Sequence, residues 1–145
     1  MPVFPAAVYE LSTFFIVLAL IGIIYGGMVA MVQPQIKRLI AYSSVAHMGY
    51  IVIGLFALNI QGLYGSWIQM INHAIVTGAL FLVVGMIYER THTQEISDYG
   101  GVAHTMPKFA AFLIFFSMAS IGLPGLNGFV GEVLAMIGAA RVNIW

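Results

Sequence analysis

The sequence predicts an all-α integral membrane domain of about four membrane-crossing helices, the last of them discontinuous. Three observations carry that prediction. Of 145 residues, 61% are hydrophobic and 7% charged, where a soluble domain carries roughly 25% charged residues. Four apolar runs each reach about the 20 residues that a spanning helix needs. The last run is interrupted by Gly122-Leu123-Pro124-Gly125-Leu126-Asn127-Gly128.

The first run covers 6–32, with Glu10 near its start as its one charge. The second covers 39–58, the third 63–88, and the fourth 109–140, broken near 122–128. Strands do not fit, because a membrane barrel strand is about ten residues long and alternates in polarity. The linkers are polar: Gln33-Pro34-Gln35-Ile36-Lys37-Arg38 after the first span, and the tight Asn59-Ile60-Gln61-Gly62 after the second. The long one, from Glu89 to Lys108, holds Glu89, Arg90, His92, Glu95, Asp98 and His104. Lys37, Arg38, Arg90 and Lys108 thereby fall on one side of the membrane and Arg141 on the other. Basic residues collect on the cytoplasmic side, so both termini are expected to face away from it. Residues 1–145 are read as a single membrane domain.

Other classes are disfavoured. Lys plus Arg equals Asp plus Glu at five each, so no basic patch points to nucleic acid. There is no cysteine, which removes cysteine-ligated clusters, disulfides and thiol catalysis. No nucleophile–base pair, phosphate loop or Cys/His metal pattern occurs, so no catalytic, cofactor-binding or metal residue is expected in this chain. The start, MPVFP, has no basic region before its apolar run, and a cleaved leader is not expected.

The fourth run must bend, tilt or break. As one straight helix of about 32 residues it would be about 48 Å long at roughly 1.5 Å per residue, against a hydrocarbon core of about 30 Å. Pro124 removes a backbone donor and crowds the preceding turn. Gly122, Gly125 and Gly128 relax the backbone around it. Unwound backbone at membrane depth is tolerated where protein buries it or a wet cavity receives it, and interrupted helices of this kind mark ion pathways in transporters. The alternative is a kinked packing helix.

Glu132 lies about one turn into the second half of that span. A charge at the bilayer centre costs about 2.5–3.5 kcal/mol or more, so the carboxyl must be paired, hydrated or protonated. Poised between burial and a nearby cation, it can load and release a proton. His73 sits midway along the third span, and Gln69, His73 and Thr77 at i, i+4 and i+8 share one face. His47 shares a face of the second span with Ser43 and Ser44, and an imidazole titrates near neutrality. Each polar group also has a plain reading as a helix–helix hydrogen bond. Lys37, at the start of the second span, is an anchor, or it reaches inward along its aliphatic stem to an acid. Trp67 and Tyr88 read as interface anchors, and the nine methionines as packing.

The stretch Ile36-Lys37-Arg38-Leu39-Ile40-Ala41-Tyr42-Ser43-Ser44-Val45-Ala46-His47-Met48-Gly49 resembles the proton-translocating membrane subunits of respiratory complex I, relatives of cation/proton antiporters. Gln69-Met70-Ile71-Asn72-His73, Tyr88-Glu89-Arg90-Thr91-His92-Thr93, Gly122-Leu123-Pro124-Gly125 and Gly128-Phe129-Val130-Gly131-Glu132 agree in order and spacing. In that family the broken helix of the second repeat carries Lys in most paralogues and Glu in the M type, also called chain 4; here it is Glu132. The resemblance implies an antiporter-like inverted repeat, of which this chain holds part of the second half, so it reads as a fragment of a longer subunit. It further implies that Glu132 is the terminal proton-channel acid, with His73, His47 and Lys37 matching the family's other buried or span-start groups.

The implied function is proton translocation, driven by electron transfer from NADH to quinone elsewhere in the complex. NADH, flavin, iron–sulfur clusters and quinone would be held by other subunits. The implied partners are the other membrane-arm subunits, neighbouring antiporter-like ones included, and the lipid of a bacterial plasma membrane or an organellar inner membrane. A Mrp-type antiporter or membrane-bound hydrogenase subunit shares the fold. A haem-binding cytochrome using His47 and His73 as axial ligands and a purely structural assembly subunit are the readings from other classes.

Overall fold

The computed structural model describes residues 5–142; the apolar start inspected for a leader falls largely on 1–4, outside them. The described chain is helical throughout, apart from its turns and one isolated bridge. Helix α1 spans Pro5–Met31, α2 Ile36–Phe56 and α3 Ile60–Thr91. These three are long and apolar enough to cross a membrane. A short 3-10 turn at Ile96–Asp98 and a four-residue helix α4, Val102–Thr105, lead into α5, Pro107–Ile121, and α6, Asn127–Ala140.

Helix ends are set by local chemistry more than by hydropathy. Helix α2 begins at Ile36 rather than Leu39, because Lys37 and Arg38 can be helical while their charged ends leave the apolar layer. Helix α3 begins at Ile60 rather than Leu63. Asn59 caps it, its Oδ1 accepting from Gly62 N–H at 2.7 Å, which satisfies one of the free donors of a first turn. The helix runs on to Thr91, its 32 residues exceeding what a bilayer of about 30 Å requires, so its last turn enters the polar linker.

The fourth apolar run is two half-length helices of 15 and 14 residues. Helix α5 stops at Gly122, whose φ of +74° is left-handed, and Leu123 N–H reaches back to Met118 O at 3.5 Å, an αL termination that suits glycine. Gly125, φ +98°, turns the chain again, and α6 starts at Asn127.

Helices pack as an antiparallel series: α1 on α2, α2 on α3 and α6, α3 on α5 and α6. The α3–α6 pair packs through small residues. Gly62 lies against Gly138, Gly65 against Leu134 and Ala135, and Gln69 against Gly131. With no hydrophobic force between helices in lipid, such small-residue contact is a main source of association. Ser66, fully buried, donates to Ile51 O at 2.8 Å, joining α3 to α2. At one end, the turn after α1 zips to the segment after α3: Ile36 N–H bonds Gln94 O at 3.0 Å and Ile96 N–H bonds Pro34 O at 2.9 Å. Lys37, Arg38, Arg90 and Lys108 therefore gather at that end of the bundle, and Arg141, after α6, lies at the other.

Candidate functional site

The polar groups of α2, α3 and α6 converge where the fourth run is broken. With Glu132 ionised, His47 Nδ1–H donates to Glu132 Oε1 at 2.7 Å. Gln69 Nε2–H donates to the same oxygen at 3.1 Å. The His47 and Glu132 side chains are only 17% and 15% exposed. The other carboxylate oxygen, Oε2, lies over the break, where a Cβ on Gly122 would sit 2.9 Å from it. The glycine that ends α5 thus also makes room for the carboxylate.

His73 extends the cluster along α3. Its ring centroid is 5.7 Å from that of His47, and Thr77 Oγ1 lies 3.3 Å from both of its ring nitrogens. A cavity of about 10 Å³ is lined by His47, Gln69, Asn72, His73, Ser120 and Gly128, among others, room for about one water. That cavity, about 10 Å³, has no room for a porphyrin between the two imidazoles, so the axial-ligand arrangement is not supported. No group of three or more metal-binding side chains occurs among the described residues.

Other residues singled out from the sequence lie apart. Ser43 and Ser44 both donate to Ile40 O at 2.9 Å, closing onto their own helix rather than onto His47. Lys37 Nζ stands 4.1 Å from the centre of the Tyr88 ring, a cation–π contact at the linker end of the bundle, rather than against an interior acid. Pro124 shapes the break without contributing a side-chain polar group. Two residues escaped the sequence reading. Asn72 Nδ2–H donates to Asn127 O at 2.8 Å, and Asn72 Oδ1 accepts from Asn127 Nδ2–H at 3.1 Å, which pins the start of α6 to α3. Asn59 Nδ2 donates to Gly138 O at 2.6 Å, fixing its other end. The available signal was position: Asn59, Gly62, Ser66, Gln69 and His73 recur every three or four residues along one side of α3.

One broken span, a part-buried carboxyl and two neighbouring imidazoles fit an antiporter-like membrane domain. The chain belongs to the family described as NADH:quinone oxidoreductase/Mrp antiporter, TM, which it matches over residues 1–145. It is 50% identical over its whole length to NADH-quinone oxidoreductase subunit M of Rhodobacter capsulatus, covering 28% of that protein. It is 43% identical over 143 residues to NADH-ubiquinone oxidoreductase chain 4 of Chondrus crispus, covering 29% of it. The fold matches a chain of respiratory complex I from Thermus thermophilus with bound NADH at a TM-score of 0.92 and 36% identity, over 97% of this chain and 30% of that one. The chain thus spans less than a third of the relatives it matches. The resemblance read from the motifs, M type included, holds along the whole sequence, and the chain is a multi-pass membrane segment.

Proposed function

We propose that this chain is the part of an M-type subunit of proton-pumping NADH:quinone oxidoreductase that carries its terminal proton-channel acid, Glu132. The observation that carries the reading is the 2.7 Å contact of His47 Nδ1 with Glu132 Oε1 beside the broken helix. When His47 is doubly protonated, its Nδ1–H bond breaks as an O–H bond forms at Oε1, leaving a neutral imidazole and a neutral carboxyl. Proton transfer by positioned groups needs contact of this length. His73, held by Thr77, feeds His47 through the small cavity between them, a gap that one water bridges. Oε2, facing the unwound backbone at Gly122, is the exit side. Gln69 and Thr77 line the path. Ser43, Ser44 and Lys37 stand outside it, Lys37 marking the linker end.

In this reading NADH, flavin, iron–sulfur clusters and quinone work in other subunits, and the partners are the neighbouring membrane-arm subunits, antiporter-like ones included, together with the bilayer. Both termini of the chain face away from the cytoplasm or its organellar equivalent. The family description also covers Mrp antiporters; such a subunit would use the same cluster without an electron-transfer arm.

The test is Glu132→Gln in the full-length protein within its assembled complex, in sealed vesicles. Proton transfer through this site is expected to slow by about 10²–10⁴-fold, the usual worth of a positioned acid–base group. Protons pumped per electron therefore fall while the complex still assembles. An unchanged ratio removes Glu132 from the path, and pumping that needs no NADH oxidation favours the antiporter.

A further inference from the structure

Gln69 is 3% exposed and touches the acid on which the proposed function rests. Its Nε2 donates to Glu132 Oε1 at 3.1 Å. Its own Oε1 is buried and accepts from no donor among the described residues. Buried carbonyl oxygens are seldom left this way. Oε1 occupies the space that a Cβ on Gly131 would take, and the Gln69 Cβ and Cα border the same space at 2.8 and 2.9 Å. The absent side chain at Gly131 is what gives the amide oxygen a place.

An amide offers donors and an acceptor at the same reach, whereas a carboxylate only accepts and a carboxylic acid donates one proton. A half-turn of the Gln69 amide exchanges Nε2 for Oε1. With Glu132 ionised, the observed orientation is the favourable one. With Glu132 neutral, its O–H can point to His47 Nδ1, from which the proton came, or to a turned Gln69 Oε1.

We propose that Gln69 is a positioning residue that bonds Glu132 in both protonation states and, by turning its amide, draws the carboxyl proton off the line to His47. Back-transfer needs the O–H aimed at Nδ1, so the turned amide holds the proton on Glu132 until it leaves by another route. The unpaired Oε1 is the acceptor that the ionised state keeps in reserve. The titratable groups facing Glu132 are His47 from α2 and His73 from α3. From the break Gly122 lies against Glu132 Oε2, and Ala119, Ser120 and Gly128 line the adjoining cavity; none of these titrates, so a change of proton affinity on altering Gln69 reports on this one contact.

The proposal rests on Glu132 as the proton carrier, and the experiment separates the two. In the full-length protein within its assembled complex, infrared difference spectra across pH follow the carboxyl C=O band that Glu132→Gln abolishes. Gln69→Met, of similar volume but with neither amide group, is expected to keep that band, move it to higher frequency through loss of a hydrogen bond, and displace its titration by about one pH unit, tenfold in proton affinity. The pH profile of pumping moves with it. A band and titration identical to those of the parent overturn the role of Gln69. A parent protein with no carboxyl band sensitive to Glu132→Gln overturns the reading of Glu132 instead. If Gln69→Met does not assemble, Gln69→Asn, which withdraws the amide by one methylene, is read in the same way against the same two outcomes.

Discussion

Replacing His47 by Leu is expected to stop proton transfer through the cluster and to destabilise the bundle by about 3–5 kcal/mol, the cost typical of removing one member of a buried pair. The cause is what stays behind. Glu132 Oε1 now has His47 at 2.7 Å and Gln69 at 3.1 Å. Without the imidazole the carboxylate keeps one neutral donor in a site that is 15% exposed on its side, too closed for bulk water to replace the loss. The double variant His47→Leu/Glu132→Leu should recover most of that stability, because a buried pair exchanged for apolar groups of similar size is often neutral. Gln69 Nε2 then lacks its acceptor, which leaves a deficit of about 1–3 kcal/mol. Pumping does not recover. Thermal denaturation of the full-length protein in lipid nanodiscs, with pumping measured in vesicles, separates the two effects. If the single and double variants are equally stable, the pair is not coupled.

Much of this site was legible because a bilayer penalises polar groups so heavily. Glu132, His73 and His47 stand out in runs otherwise free of charge, and Gly122, Pro124 and Gly125 announce the break by backbone chemistry alone. Periodicity gave the face of α3 that carries Gln69, His73 and Thr77. It could not give what opposes that face, since the contact of His47 with Glu132 spans 85 positions and depends on how α6 re-enters the bundle.

The positions of the other polar residues have the same origin. Ser43 and Ser44 share a side with His47, but a hydroxyl on a helix can satisfy itself on the carbonyl three or four residues back, and both do so on Ile40. Lys37 sits at a span start, where the aromatic Tyr88 from the end of α3 is nearer than any interior acid. Asn72 and Asn59 look like ordinary polar residues in sequence and become structural only because Asn127 and Gly138 arrive beside them. The glycines of α3 carry no visible signal of which of them is a contact and which is open.

That last distinction yields the other large effect. Gly65→Leu is expected to prevent the full-length protein from accumulating, whereas Gly78→Ala on the same helix should be neutral or mildly stabilising. A Cβ at Gly65 would fall on the backbone nitrogen of Ala135, 2.7 Å from Leu134 C and 2.9 Å from Leu134 Cβ. The obstacle is backbone, so no rotamer change relieves it and α6 must move away from α3. That movement stretches Asn59 Nδ2 from Gly138 O, now 2.6 Å apart, and Gln69 from Glu132. One clash thereby propagates to the helix anchor and to the Glu132 cluster. Overpacking costs about 1–3 kcal/mol and occasionally more; here lost interhelical bonds add to it, and lipid offers no hydrophobic force to hold the pair together. At Gly78 a Cβ meets nothing within 4 Å, so the substitution brings only the gain of about 0.5–1 kcal/mol that Ala has over Gly inside a helix. Gly65→Ala should fall between them, because its single methyl already meets the Ala135 backbone. Membrane levels of the protein and its thermal transition decide the matter. Equal accumulation of Gly65→Leu and Gly78→Ala would show that α3 and α6 do not rely on this close approach.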